Sequence, residues 1–449
     1  MKPQDSPTTA RPTGAITRRR ALGWGLLGAA GMALSKPLGL LAGTPDHAAT
    51  SGSARSVIQI WMWGGPSHLD TFDPKPDAGR DYCGPLTNPI ETNVDGIMIG
   101  ELLPMLAKQA DKYSIIRSMT HGINAHETAS YLVQTGHQPG RLVYPCIGAV
   151  VGLLKGHGRA YEGKIPPYIV LTKPQGRFSE AGFLGPEYKP FATGGDPNRD
   201  PFVVEGIVAK GISDERQRKR RTLLHALDTL GRAMPGNPRF ARTDRSEGSS
   251  YNLMFGRARK LFDLSNETEE TRERYGRNTF GQSCLTARRL VEYGVPYVTI
   301  NYPGWDTHKQ HFQTVEQKLP EMDRGMAVLL EDLADRGMLD STIVWWSGEF
   351  GRGPKVQWAP PWNGGRSHYG QCFSAVLAGG GFKGGRVVGA SNAHGTQVTG
   401  RPVHPQNLLG SIYELMGIDP DAPLPNERGL DVSIMPDADR GEGRLREIM

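Results

Sequence analysis

The chain has 449 residues, with 52 Lys and Arg against 46 Asp and Glu and 38% hydrophobic residues. That length suits two or three ordinary domains or one large α/β domain with insertions, and the apolar content suffices for a sizeable core. Six basic and two acidic residues lie within residues 1–50, so the formal charge of +6 falls to about +2 beyond them, which leaves no case for a nucleic-acid partner.

The N-terminus reads as a targeting segment. Thr17-Arg18-Arg19-Arg20-Ala21-Leu22 precedes a short Gly-, Ala- and Leu-rich run, the pattern of a twin-arginine export signal. The expected location is therefore periplasmic or secreted, with the twin-arginine export machinery as a partner. Lys36-Pro37 breaks the run, so no stable membrane span is expected. Residues 1–54 are assigned to signal and linker, 55–434 to one α/β domain with an insertion at about 175–250, and 435–449 to a tail. The four cysteines, Cys83, Cys146, Cys284 and Cys372, contain no Cys-x-x-Cys pair, which excludes a zinc ribbon and leaves disulfides and buried thiols both open.

A first strand is predicted over 56–63. It ends in Gly64-Gly65-Pro66-Ser67-His68-Leu69-Asp70, where the twin glycines permit a sharp turn or a close approach. A short helix is predicted over 101–111 and a second strand over 113–117, whose exit loop carries His121 and His126. A helix follows over 129–136, then a third strand over 168–172. Helices are predicted over 223–230, 251–263 and 278–293.

The second half alternates more cleanly. A strand over 295–302 leads to Asp306 and His308. A long helix over about 311–336 places Phe312, Val315, Leu319, Met322, Met326, Leu329, Leu330 and Leu333 on one broad face. A strand over 341–347 leads to Gly348-Glu349-Phe350-Gly351-Arg352. Gly365-Arg366-Ser367-His368 precedes a strand over 373–378, and a helix over 405–416 begins at Pro405. This alternation predicts an α/β fold, a mostly parallel sheet with helices on its faces. No Gly-rich nucleotide fingerprint is present.

Four strand ends thus finish in polar clusters, and open parallel sheets keep their ligands at the carboxyl ends of their strands. Carboxylate and imidazole together suit a divalent metal, Zn, Mn, Mg or Ca, without choosing among them. The candidate ligands are His68, Asp70, Asp306, His308, Glu349 and His368. Arg117, Arg352 and Arg366 offer paired N–H groups to an oxyanion, or else form structural ion pairs.

The motifs at 64–76, 304–308, 348–352, 365–368 and 401–419 resemble an uncharacterised sulfatase-like family of exported bacterial proteins within the alkaline phosphatase/sulfatase superfamily. The resemblance spans about 56–434. It implies an alkaline-phosphatase-like sheet and metal-dependent hydrolysis of a sulfate or phosphate ester, small-molecule or glycan. It matches Asp306 and His308, Glu349 and His368 to successive metal-site elements of the superfamily. Two positions depart from that pattern. Trp63 and Gly64 stand where the first strand should end in a metal-binding Asp, and His126 occupies the nucleophile position. His126 is then a phospho-acceptor or a metal ligand, with Ser67, Thr120 and Thr128 as further nucleophile candidates and Arg352 as a catalytic candidate. The alternative is a non-catalytic carbohydrate-binding or envelope protein on the same scaffold, its tryptophans lining a sugar groove.

Overall fold

The computed structural model describes residues 52–449, apart from 157–158, 164, 174–179 and most of 201–258. The twin-arginine segment, nearly all of the predicted 223–230 helix and the start of the 251–263 helix lie outside the described residues. Among the described residues no helix is long and apolar enough to cross a membrane.

An eight-stranded sheet organises the domain. Its strands are β1 (Ser56–Trp61), β2 (Tyr113–Met119), β3 (Tyr168–Leu171), β4 (Phe191–Ala192), β5 (Tyr297–Asn301), β6 (Thr342–Ser347), β7 (Phe373–Ala378) and β8 (Arg386–Val388). The spatial order is β8-β2-β7-β6-β1-β5-β3-β4. All strands run parallel except β7, which lies antiparallel between β2 and β6. The mostly parallel α/β sheet expected from the alternation is what forms. The described part of the expected insertion, 180–200, contributes its edge strand β4.

The antiparallel insertion of β7 matters for the site. Its first residue, Phe373, pairs with Met119 at the end of β2. The loop leading into β7 therefore lies at the same sheet edge as the loops leaving β1, β2, β5 and β6, and all the candidate clusters share one rim.

β1 is central and buried along its whole length. Alternation sends Ile58 and Ile60 into one core layer with α3 (Thr279–Glu292) and α4 (His311–Asp335). Val57 and Trp61 enter the other layer, with α1 (His126–Thr135), α2 (Ile147–Lys155) and α5 (Pro405–Leu415). Gln59 is the polar exception at the sheet centre. It accepts from Tyr297 Oη (3.1 Å) and Thr299 Oγ1 (3.0 Å) and donates to Gln134 Oε1 (3.2 Å). Fully partnered, it ties α1 to the sheet.

The predicted 101–111 helix is shorter than expected: Pro104 opens a four-residue helix, and a 3-10 turn follows at Ala110–Lys112. The stretch 435–449, expected as a tail, is packed. Met435, Leu445 and Ile448 are buried in the second core layer. All four cysteines are buried free thiols.

Candidate metal centre

α1 begins at His126 and ends at Gly136, which takes a left-handed conformation as a helix stop commonly does. The helix starts three residues earlier than its apolar pattern indicates, and that extension carries His126 to the rim. There His126, Asp306 and His368 place one donor atom each within 4.8 Å of one another. His126 Nε2 is 3.2 Å from Asp306 Oδ2, and His368 Nε2 is 3.1 Å from Asp306 Oδ1. His308 joins from the other side, with Nε2 2.8 Å from His368 Nε2 and 3.2 Å from Asp306 Oδ1. Adjacent donors of a tetrahedral zinc with bonds of about 2.0–2.1 Å stand about 3.3 Å apart, so the cluster has the right scale.

The outer nitrogens decide what the inner ones can do. His126 Nδ1 lies 2.6 Å from Glu349 Oε1, and His368 Nδ1 lies 2.8 Å from the Asn124 carbonyl. Both outer partners only accept, so each Nδ1 carries a proton. In the neutral rings each Nε2 then turns a lone pair toward the Asp306 carboxylate, which has no proton to give. His308 Nε2 can donate to His368 Nε2 or to Asp306, which leaves the His126 lone pair facing the carboxylate, a contact that a proton or a cation relieves. Trp63 and Phe350 pack against the imidazoles, with ring centroids 5.3 and 4.9 Å from His126.

The titration behaviour expresses the same demand. Burial alone would lower the His126 pKa, but hydrogen bonds and charge from Asp306 and Glu349 overcome it and raise it to about 9. Burial opposes ionisation of Asp306, yet His126, His368 and Arg352 hold it well below the usual carboxylate range. Burial pushes Glu349 upward, against His126 and the Gly64 amide. Burial and the Arg352 charge lower His308. Arg352, wholly buried, is drawn down to about 10 by burial despite Asp306 and Glu349.

The candidates therefore separate. Asp306, His308 and His368 come together as expected. Glu349, named as a ligand, stands one step back: its buried carboxylate accepts from Gly64 N (3.0 and 3.3 Å) and orients His126. Gly64 takes a positive φ of 109°, and a Cβ there would meet Asp306 N at 2.1 Å. Where the superfamily pattern has a first-strand Asp, this chain supplies a backbone N–H to Glu349. His126 has both ring nitrogens engaged, which favours ligation over a phospho-acceptor role. Arg352 Nη2 bonds Asp306 Oδ1 from below, so it holds the carboxylate. Ser67 is buried, and Thr128 and Thr120 have no hydrogen bond to the cluster among the described residues.

Asp70 and His68, also named as ligands, are spent elsewhere. Asp70 lies 3.0 Å from Arg366 Nε, accepts from Arg366 Nη2 (3.1 Å) and bonds His311 Nε2 (2.8 Å), all three residues being buried. His311 Nδ1 bonds Thr307 Oγ1 (2.6 Å), and Arg366 N donates to the Thr307 carbonyl (3.1 Å). Asp70 thus staples the first-strand turn to the loops that bear His308 and His368. Burial would raise its pKa, but Arg366 and His311 bring it to about 2. Buried His68 bonds the Gly395 carbonyl (2.8 Å). Arg117 donates to the Phe72 and Met98 carbonyls (2.8 and 2.7 Å), a clamp and not an oxyanion brace.

Asn124 and His311 were not anticipated. Asn124 acts through its carbonyl, which residue type does not reveal. His311 stands three residues beyond His308, at the first position of α4, and that spacing was the available signal.

Residues 54–442 match the model of the family described as "Protein of unknown function (DUF1501)". The chain belongs to that family. No curated protein matches it. Among solved structures, this family member is similar to Ps i-CgsB in complex with k-i-k-neocarrahexaose, at 11% identity and a TM-score of 0.39 over 87% of this chain and 77% of that one. A protein in the alkaline phosphatase superfamily from Vibrio parahaemolyticus gives 11% and 0.38, over 82% and 68%. The PsFucS1 sulfatase from Pseudoalteromonas sp. gives 13% and 0.33, over 82% and 68%. At such scores the activity has to be argued from this chain's own residues.

Proposed function

We propose that the protein is an exported metal-dependent hydrolase of phosphate or sulfate esters. The observation that carries the reading is the convergence of one donor atom each from His126, Asp306 and His368 within 4.8 Å of one another, with both outer imidazole nitrogens committed elsewhere. A divalent cation held by His126, Asp306 and His368, with His308 in reach, satisfies all of them. Three protein ligands, each partly open to solvent, leave room for a further ligand, as catalytic zinc sites do and closed structural sites do not. Such an ion supplies Lewis acidity toward an ester oxygen and lowers the pKa of a bound water.

The chain's own groups supply the rest. Glu349 and the Asn124 carbonyl fix the two imidazole tautomers, and Arg352 holds the Asp306 carboxylate in place. The paired arginines near residue 19 support export through the twin-arginine pathway, testable with a signal–reporter fusion. The deciding experiment is elemental analysis of protein purified without chelators, with turnover of an aryl phosphate and an aryl sulfate. About one equivalent of divalent metal, and turnover abolished by Asp306→Ala, is expected. Metal-free protein without turnover would leave the non-catalytic binding reading.

A further inference from the structure

Beside the metal-binding loops lies a cavity of about 380 Å³, lined by Arg80, Gln310, Phe312, Gln313, Trp358 and Asn363. Its cation is preorganised. The Arg80 guanidinium lies over the Trp358 ring at 5.4 Å, and that indole stacks on Phe312 at 5.9 Å. Among the described residues no carboxylate pairs with Arg80, which is exposed. A guanidinium seated over an aromatic ring keeps N–H groups to offer a planar or tetrahedral oxyanion.

The surrounding amides are held by unusual backbone. Gln310 and Asn363 both adopt positive φ, 50° and 46°, which costs a non-glycine residue energy and tends to mark ligand-binding loops. Gln310 N donates to the Trp362 carbonyl (3.0 Å), locking the two loops together. The cavity also adjoins the proposed metal centre. Gln310 follows His308 by two residues, so their Cα atoms lie within about 7 Å, and the Trp362 ring is 6.1 Å from the His308 ring.

We propose that this cavity is a second oxyanion subsite, which selects esters bearing another acidic group. The inference rests on the hydrolase reading and names its substrate class: a dianionic ester whose remote carboxylate, sulfate or phosphate rests on Arg80 and the flanking amides.

The test is calorimetry of the metal-loaded full chain with phenylphosphonate, 4-carboxyphenylphosphonate and 4-sulfophenylphosphonate, none of which has an ester to cleave. The wild type should bind at least one diacid about tenfold more tightly than phenylphosphonate, and the better diacid names the remote group. Arg80→Gln should bring the three Kd values within about twofold of one another, and Arg80→Lys should retain part of the preference. Equal wild-type affinities, or a preference that survives Arg80→Gln, would overturn the subsite. In that event, phenylphosphonate binding that is lost in Asp306→Ala still upholds the metal centre. If phenylphosphonate fails to bind the metal-loaded wild type at all, both readings fall.

Discussion

Asp306 and Asp70 make an instructive pair. Each sits in a loop at the same sheet rim, and each meets histidine and arginine. Around Asp70 the accounts close: Arg366 and His311 donate to it, Thr307 donates to His311, and the whole group is buried. Around Asp306 they do not. His126 and His368 have committed their Nδ1–H groups outward, Arg352 and the imidazole Nε2 atoms face the carboxylate, and it stays 42% exposed. The sealed cluster is a fastener. The open one, short of positive charge and reachable from solvent, is a place for a cation. The same residue types serve both ends because the direction of each donor decides the chemistry.

The sharpest way to break this comparison is to open the sealed cluster. Asp70→Ala strands Arg366 as a buried unpaired charge and should cost about 3–5 kcal/mol of unfolding free energy, measured by urea denaturation. A loss below about 1 kcal/mol would show that Asp70 is no fastener. Asp306→Asn, which keeps an oxygen acceptor for the buried Arg352, should disturb the denaturation midpoint far less while metal affinity falls roughly 100-fold or more, beyond what an outer-shell change produces. If Asp306→Asn unfolds the protein and keeps its metal, the two roles have been assigned the wrong way round.

Two smaller effects refine the contrast. Acidification should reveal the Asp70 ion pair. Its folded pKa of about 2 lies below the ordinary 3.8, so the stabilisation is complete above about pH 4 and is lost as pH falls toward 2, a change of about 2 kcal/mol. The contribution should vanish from the acid limb in Asp70→Asn, compared by thermal melts across that window. Glu349→Gln keeps the shape but weakens the hold on His126. A loss of about 10- to 100-fold in metal affinity is expected, with the ester-hydrolysis rate falling alongside it. Unchanged metal affinity would place His126 outside the ligand set.

Much of this was legible in the residues. The six longer strands fall within a few residues of where apolar runs and Gly-rich exits place them, because buried parallel strands read as continuous hydrophobic stretches. Asp306, His308 and His368 were legible too, each standing in a polar loop that leaves or enters a strand. His126 was placed at the site, but the helix pattern starts three residues too late, since a polar first turn carries no apolar signal. His68 and Asp70 looked like ligands because they share a loop with twin glycines.

By itself the sequence determined the strands, their order along the chain, the polar turns beside them and the paired-arginine run ahead of them. All of these are local: periodicity, turn chemistry and composition act over a few residues. Only the tertiary structure decided which aspartate is sealed and which is open. Asp70 meets Arg366 across 296 positions, and His126 meets Glu349 across 223. Which donor faces which acceptor over such separations depends on how strands stack and which way β7 runs, and no local pattern encodes that.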